Sequence, residues 1–76
     1  MQNISIPDKA AAVTPSDSTN QYGLGLYVGT GGNVSLTMAG GGTITLLNIQ
    51  AGTLLPIEFS QVRATGTTAS SIVRFF

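Results

Sequence analysis

The sequence predicts an all-β domain, a compact antiparallel β-sandwich or small barrel of about five or six strands behind an extended N-terminal arm. Three observations carry this reading. From Leu24 onward, apolar residues alternate with polar ones in short runs of period two, with no helical period. Turn signals rich in glycine separate those runs at intervals of about ten residues. The first two dozen residues, MQNISIPDKAAAVTPSDSTNQYG, hold two of the three prolines and no sustained periodicity. Residues 1–22 are therefore assigned to the arm and 23–76 to a single β-domain.

Within the arm, Ala10 to Val13 is the only helix-friendly stretch. Thr14-Pro15 limits it to one turn at most, because the residue before proline is forced out of the α region. Leu24, Leu26 and Val28 then point one way along a strand, and Thr30-Gly31-Gly32-Asn33 reads as a turn in which Gly29, Gly31 and Gly32 supply positive φ. Val34, Leu36 and Met38 alternate with Ser35 and Thr37 as a half-buried strand, and Ala39 to Gly42 closes a hairpin. In Thr43 to Ile49 the apolar phase slips from Ile44 and Leu46 to Leu47 and Ile49, which places a bulge near Leu47 or covers both faces. After the Ala51-Gly52 turn, Leu55, Ile57 and Phe59 form one alternating set, with Pro56 demanding an edge or an irregularity. Ala64 to Ser71 is a polar loop. The final strand, IVRFF, is apolar on both faces except at Arg74 and so wants cover on both sides.

A chain of 76 residues buries only about 60% of its unfolded surface when it folds alone, so its core needs support. There is no cysteine for a disulfide, and without cysteine or histidine no zinc site forms; Asp8, Asp17 and Glu58 are few for a calcium cage. No metal and no cofactor is expected, and the remaining support is other protein, namely a homo-oligomer. Charged residues make up 8% of the chain against about 25% in ordinary soluble domains, as expected of a surface that is largely covered. Lys9, Arg63 and Arg74 balance the three acids, so no nucleic-acid or membrane partner is expected. MQNISIPDK lacks the basic-then-apolar order of a signal peptide.

Only the glycine-rich stretch Gly23 to Gly32, GLGLYVGTGG, hints at small-molecule chemistry, and it fails on inspection. Val28 stands where the dinucleotide fingerprint needs its third glycine, a strand follows instead of a helix, and no Gly-Lys-Ser/Thr comes after it. Serines and threonines are plentiful but no histidine exists to activate one, so the chain is not expected to be an enzyme.

The candidate functional residues are therefore those of an interface. Tyr22, Tyr27, Phe59, Phe75 and Phe76 are aromatic anchors for another chain or else core residues. Glu58, Arg63 and Arg74 are solvated strand ends or pair across a subunit boundary. In the arm, Ile4, Ile6, Pro7, Val13, Pro15 and Asp17 are candidates for docking. Asp17 reads first as a local turn acceptor, with a calcium or sugar contact as the alternative.

Four ordered pieces, AAVTPSDST, GLYVGTGGNVSLTMAGG, AGTLLPI and VRATGTTASSIV, resemble the small head-spike base protein family of tailed phages and phage-like gene transfer agents. The resemblance runs from about Ala11 to Val73. It implies a virion protein on the capsid surface: a ring of small β-subunits, pentameric in the family, seated on the major capsid protein at a vertex and mounting a spike fibre protein. Gly40-Gly41-Gly42 and Glu58-Phe59-Ser60-Gln61 depart from the more charged family pattern, which bears on the fibre partner and the docking surface. Two other readings stand beside it. One is a capsid decoration or cement protein without a fibre; the other, of a different class, is a small oligomeric glycan-binding module using Tyr22, Tyr27 and the Pro15 to Thr19 loop.

Overall fold

A computed structural model describes residues 7–76; the arm candidates Ile4 and Ile6 lie outside the described residues. Seven strands follow in order: β1 (Ala10–Ala12), β2 (Gly25–Thr30), β3 (Gly32–Met38), β4 (Thr43–Ile49), β5 (Thr53–Leu55), β6 (Phe59–Arg63) and β7 (Ser70–Phe75). They form two antiparallel sheets, one ordered β1-β7-β2-β5 and the other β4-β3-β6. Leu26, Val28 and Ile72 of the first sheet meet Val34, Leu36, Phe59 and Val62 of the second, and Val13 and Ala69 close the ends of this core. Each fully buried side chain of this kind contributes roughly 1.5–3 kcal/mol through its removal from water.

Several expectations are corrected. Ala10–Ala12 is a strand rather than a helical turn: Ala10, Ala11 and Ala12 pair with Phe75, Arg74 and Val73. Alanine carries little strand preference of its own, and the free edge of β7 decides the conformation. Leu55, Ile57 and Phe59 do not share a strand. The Ile57 amide donates to the Leu55 carbonyl at 3.0 Å, a tight three-residue turn centred on Pro56 that carries the chain from the edge of one sheet to the edge of the other. Two strands thus stand where one was expected, and with β1 the total rises to seven.

The Thr30 to Asn33 turn is likewise no hairpin, since β2 and β3 belong to different sheets. Gly29 and Gly31 do not take left-handed φ values. They are small because backbone lies against them: a Cβ on Gly29 would stand 2.8 Å from the Ser71 carbonyl oxygen, and one on Gly31 would stand 2.8 Å from that of Ile49.

Other expectations match. Ala39 to Gly42 closes the β3–β4 hairpin, the Met38 amide donating to the Gly42 carbonyl at 2.9 Å. The bulge falls next to Leu47. Val34 pairs with Leu46 but Gly32 pairs with Ile49, so β4 spends one residue more than β3 over this span. Asn48 absorbs it at φ 57°, its amide held by Asn33 Oδ1 at 3.0 Å. The polar loop after β6 folds back onto the start of β3, where the Asn33 carbonyl accepts from the Thr68 and Ala69 amides at 2.8 and 3.1 Å.

Candidate interaction surface

Residues 14–23 form a strap along the open edge of β6. The Ser16 amide donates to the Val62 carbonyl at 2.9 Å and the Gln21 amide to that of Ser60 at 3.0 Å. Gly23 and Phe59 exchange two backbone hydrogen bonds, each 3.0 Å. Buried Gln61 reaches under the strap, its Nε2 donating to the Ser16 carbonyl at 3.1 Å. The local turn expected of Asp17 is made instead by Ser16, whose Oγ accepts from the Ser18 and Thr19 amides at 3.2 and 3.1 Å.

Asp17 acts at long range. It accepts from the Thr65 hydroxyl at 2.6 Å and the Thr65 amide at 3.0 Å, with an Arg63 Nη2 at 3.7 Å. These contacts hold its carboxyl below the ordinary aspartate value, the Thr65 hydroxyl first and then the Thr65 amide; partial desolvation opposes them by more than the Arg63 charge adds. Arg63 and Asp17 are both substantially exposed, so the ion pair itself adds little to stability.

The second cluster gathers residues far apart in sequence. The Arg74 guanidinium lies 4.1 Å from the Phe76 ring centre and 5.5 Å from that of Tyr22, and its Nη1 donates to the Tyr22 carbonyl at 2.6 Å. The two rings meet edge to face at 5.7 Å. Lys9 Nζ stands 6.0 Å from the Phe76 ring, and the Asp8 and Lys9 amides donate to the Phe76 backbone oxygen at 3.1 and 2.8 Å. Stacking of this kind stabilises by about 0.5–2 kcal/mol per cation. It ties both ends of the described chain to the exit of the strap.

The other candidates separate. Phe59 is fully buried in the core and offers no surface to another chain; Val13, proposed for docking, is a core residue as well. Pro15 is half-buried within the strap itself. Phe75 and Pro7 line an open cleft of about 370 Å³ with Leu24, Gly25, Leu54 and Pro56. Tyr27 is exposed and pairs with exposed Leu54 on the outer face of the four-stranded sheet. Tyr22 is committed to the Arg74 cluster, whereas Tyr27 lies in the middle of a sheet face, so the two tyrosines form no single sugar platform.

Three surface residues were not singled out from sequence: Ile44, Leu47 and Leu54, exposed by 49, 65 and 58%. The signal was present in the double apolar phase of Thr43 to Ile49. Ile44 and Leu46 also line a second open cleft of about 350 Å³ with Met38 and Ile57. Among the described residues no group of three or more acidic side chains converges on a point that could hold a metal ion, and no helix is long and apolar enough to cross a membrane. Around Ile44 and Leu47, and around Tyr27 and Leu54, the surface presents uncharged apolar area suited to another polypeptide.

No protein-family model and no curated protein matches the chain. Among solved structures, it is similar to a chain in the capsid of a native gene transfer agent (GTA) particle computed with C5 symmetry. The two share 38% sequence identity with a TM-score of 0.82, over 95% of this chain and 86% of that one.

Proposed function

This chain belongs to the same family as that gene transfer agent particle protein, and from that premise we propose that it is a structural component of a phage-like capsid. The observation that carries the reading is the likeness itself, sequence and fold agreeing over nearly the whole chain. Its surface supports the same role, since no charged residue occurs between Ser18 and Ile57. Work done by such a protein is mechanical: it holds position by burying apolar area and pairing backbone.

More finely, the protein is the base of a vertex spike. A ring of copies sits on the major capsid protein, and a fibre that meets the host surface is mounted on it. The four segments shared with the head-spike base family support this assignment, as does the C5 symmetry used for the related particle. Residues 1–22 are the docking arm. Because its described part is fastened first to β7 and then to β6, and presents exposed Ser18, Thr19 and Asn20 outward, the capsid contact falls on the outer side of the strap and on residues 1–6.

The test is binding stoichiometry. Labelled chain is added to purified particles that lack it, and bound copies are counted at saturation. A spike base saturates at five copies per vertex, in line with a fivefold site. Binding over the whole lattice marks a cement protein instead, and no binding removes the capsid role.

A further inference from the structure

Among the described residues the sandwich leaves one long strand edge open. The edges of the four-stranded sheet, β1 and β5, are three residues each. In the other sheet, β6 is covered by the strap through Ser16, Gln21 and Gly23, while β4, seven residues long, has no strand beyond it among the described residues. Its sequence, TITLLNI, contains no charge and no proline, the two devices that usually keep an open edge from pairing. Ile44 and Leu47 project into solvent from it on opposite phases, and Ile44 continues into the cleft floored by Leu46, Met38 and Ile57.

A second uncharged area lies elsewhere on the molecule. On the outer face of the four-stranded sheet, one row crosses Ala12, Val73, Tyr27 and Leu54, side by side on β1, β7, β2 and β5. Leu26, Val28 and Ile72 alternate with these residues and point into the core, so the row faces away from it. Two separate apolar patches on one small subunit are what a cyclic assembly requires. In a closed ring of more than two copies, each interface is head-to-tail and joins two different surfaces.

We propose that the β4 edge of one copy seats against the outer face of the four-stranded sheet of a second copy, with Ile44 and Leu47 on one side and Tyr27 and Leu54 on the other. The inference rests on the capsid-ring reading above and supplies its subunit contact. A second copy is the occupant for three reasons. The related particle's capsid was computed with C5 symmetry, both patches are uncharged and so match each other, and a core this small calls for support from neighbours.

The experiment mixes two variants of the full chain. Ile44→Lys spoils the β4 side and Leu54→Lys spoils the sheet face; both positions are exposed in the single chain, so each variant should keep the wild-type far-UV spectrum and a cooperative melt. Native mass spectrometry should show a ring for wild type and monomers for each variant alone, association weakened by roughly 30-fold or more. Mixing the two should give one-to-one dimers, because each retains the surface the other has lost. An Asn20→Lys control on the strap should leave the ring intact. The proposal is overturned if either variant keeps the ring mass, if the mixture stays monomeric, or if wild type is itself a monomer. Wild-type monomers that still saturate particles would leave the capsid role standing and remove only this contact. Rings that ignore particles would do the reverse.

Discussion

Gly23→Ala isolates the packing that joins the strap to the core. A Cβ at this position would stand 2.6 Å from Phe59 Cζ, 3.0 Å from Phe59 Cε1 and 3.1 Å from the Phe75 carbonyl oxygen. Phe59 is fully buried and cannot swing away, and Gly23 cannot withdraw without breaking its two 3.0 Å backbone hydrogen bonds to Phe59. Overpacking of this sort costs about 1–3 kcal/mol. Alanine recovers about 0.4–1 kcal/mol of that by restricting the unfolded chain, since Gly23 does not need a left-handed φ. The net loss is about 1–2 kcal/mol, and at about 4–8 °C per kcal/mol for a domain of this size Tm falls by about 5–15 °C. The assay is thermal unfolding followed by circular dichroism at one fixed protein concentration, since assembly makes Tm concentration-dependent. Gly40→Ala, with nothing within 4 Å of the added carbon, is the control and should shift stability by less than about 0.5 kcal/mol. Adding Phe59→Leu to Gly23→Ala should recover about 1 kcal/mol relative to the sum of the two single changes. If Gly23→Ala melts with Gly40→Ala, the close approach of the strap to Phe59 is wrong.

Phe59→Ala should destabilise by about 3–5 kcal/mol and leave little folded protein at 37 °C, measured by urea unfolding. Arg74→Met keeps the apolar stem but removes the stack on Phe76 and the bond to the Tyr22 carbonyl; hydrogen exchange should accelerate at the Lys9 and Leu24 amides while amides of β3 stay protected. Asp17 has a folded-state pKa depressed below the ordinary 3.8, so its contribution is present in full above pH 3.8 and is lost as pH falls through the lower folded value. Asp17→Asn should therefore lower stability across the neutral region and flatten the acid limb below about pH 4, so that the variant and wild-type curves converge as pH falls. Removing residues 2–6 should weaken binding to particles, read as fewer labelled copies bound at a fixed concentration of chain. Full deletion through Gln21 would instead take Val13 from the core and the strap from β6.

What the sequence shows and what it hides divide along the range of the interactions. The strands around Val34–Leu36 and Leu26–Val28 are legible because their alternation is set by one buried face, and the bulge at Leu47 is legible as a slip in that alternation. β1 is hidden because three alanines carry no strand signal until β7 lies beside them. The division between β5 and β6 is hidden because Leu55, Ile57 and Phe59 keep period two straight through a change of sheet; Pro56 alone marks it. Among the interface candidates, an aromatic residue looks the same in a core and on a surface, so Phe59 could be told from Tyr27 only by the fold. The Tyr22–Arg74 and Asp17–Thr65 contacts join residues 52 and 48 positions apart and leave no local trace.

Capsid membership is tested most directly by where the chain is found after particles are made. Particles released from producing cells and purified through a density gradient should carry the chain at fixed stoichiometry to the major capsid protein, and gold-labelled antibody should mark their vertices. A chain recovered only in the soluble fractions, with gradient-purified particles free of it, would contradict the assignment to the capsid.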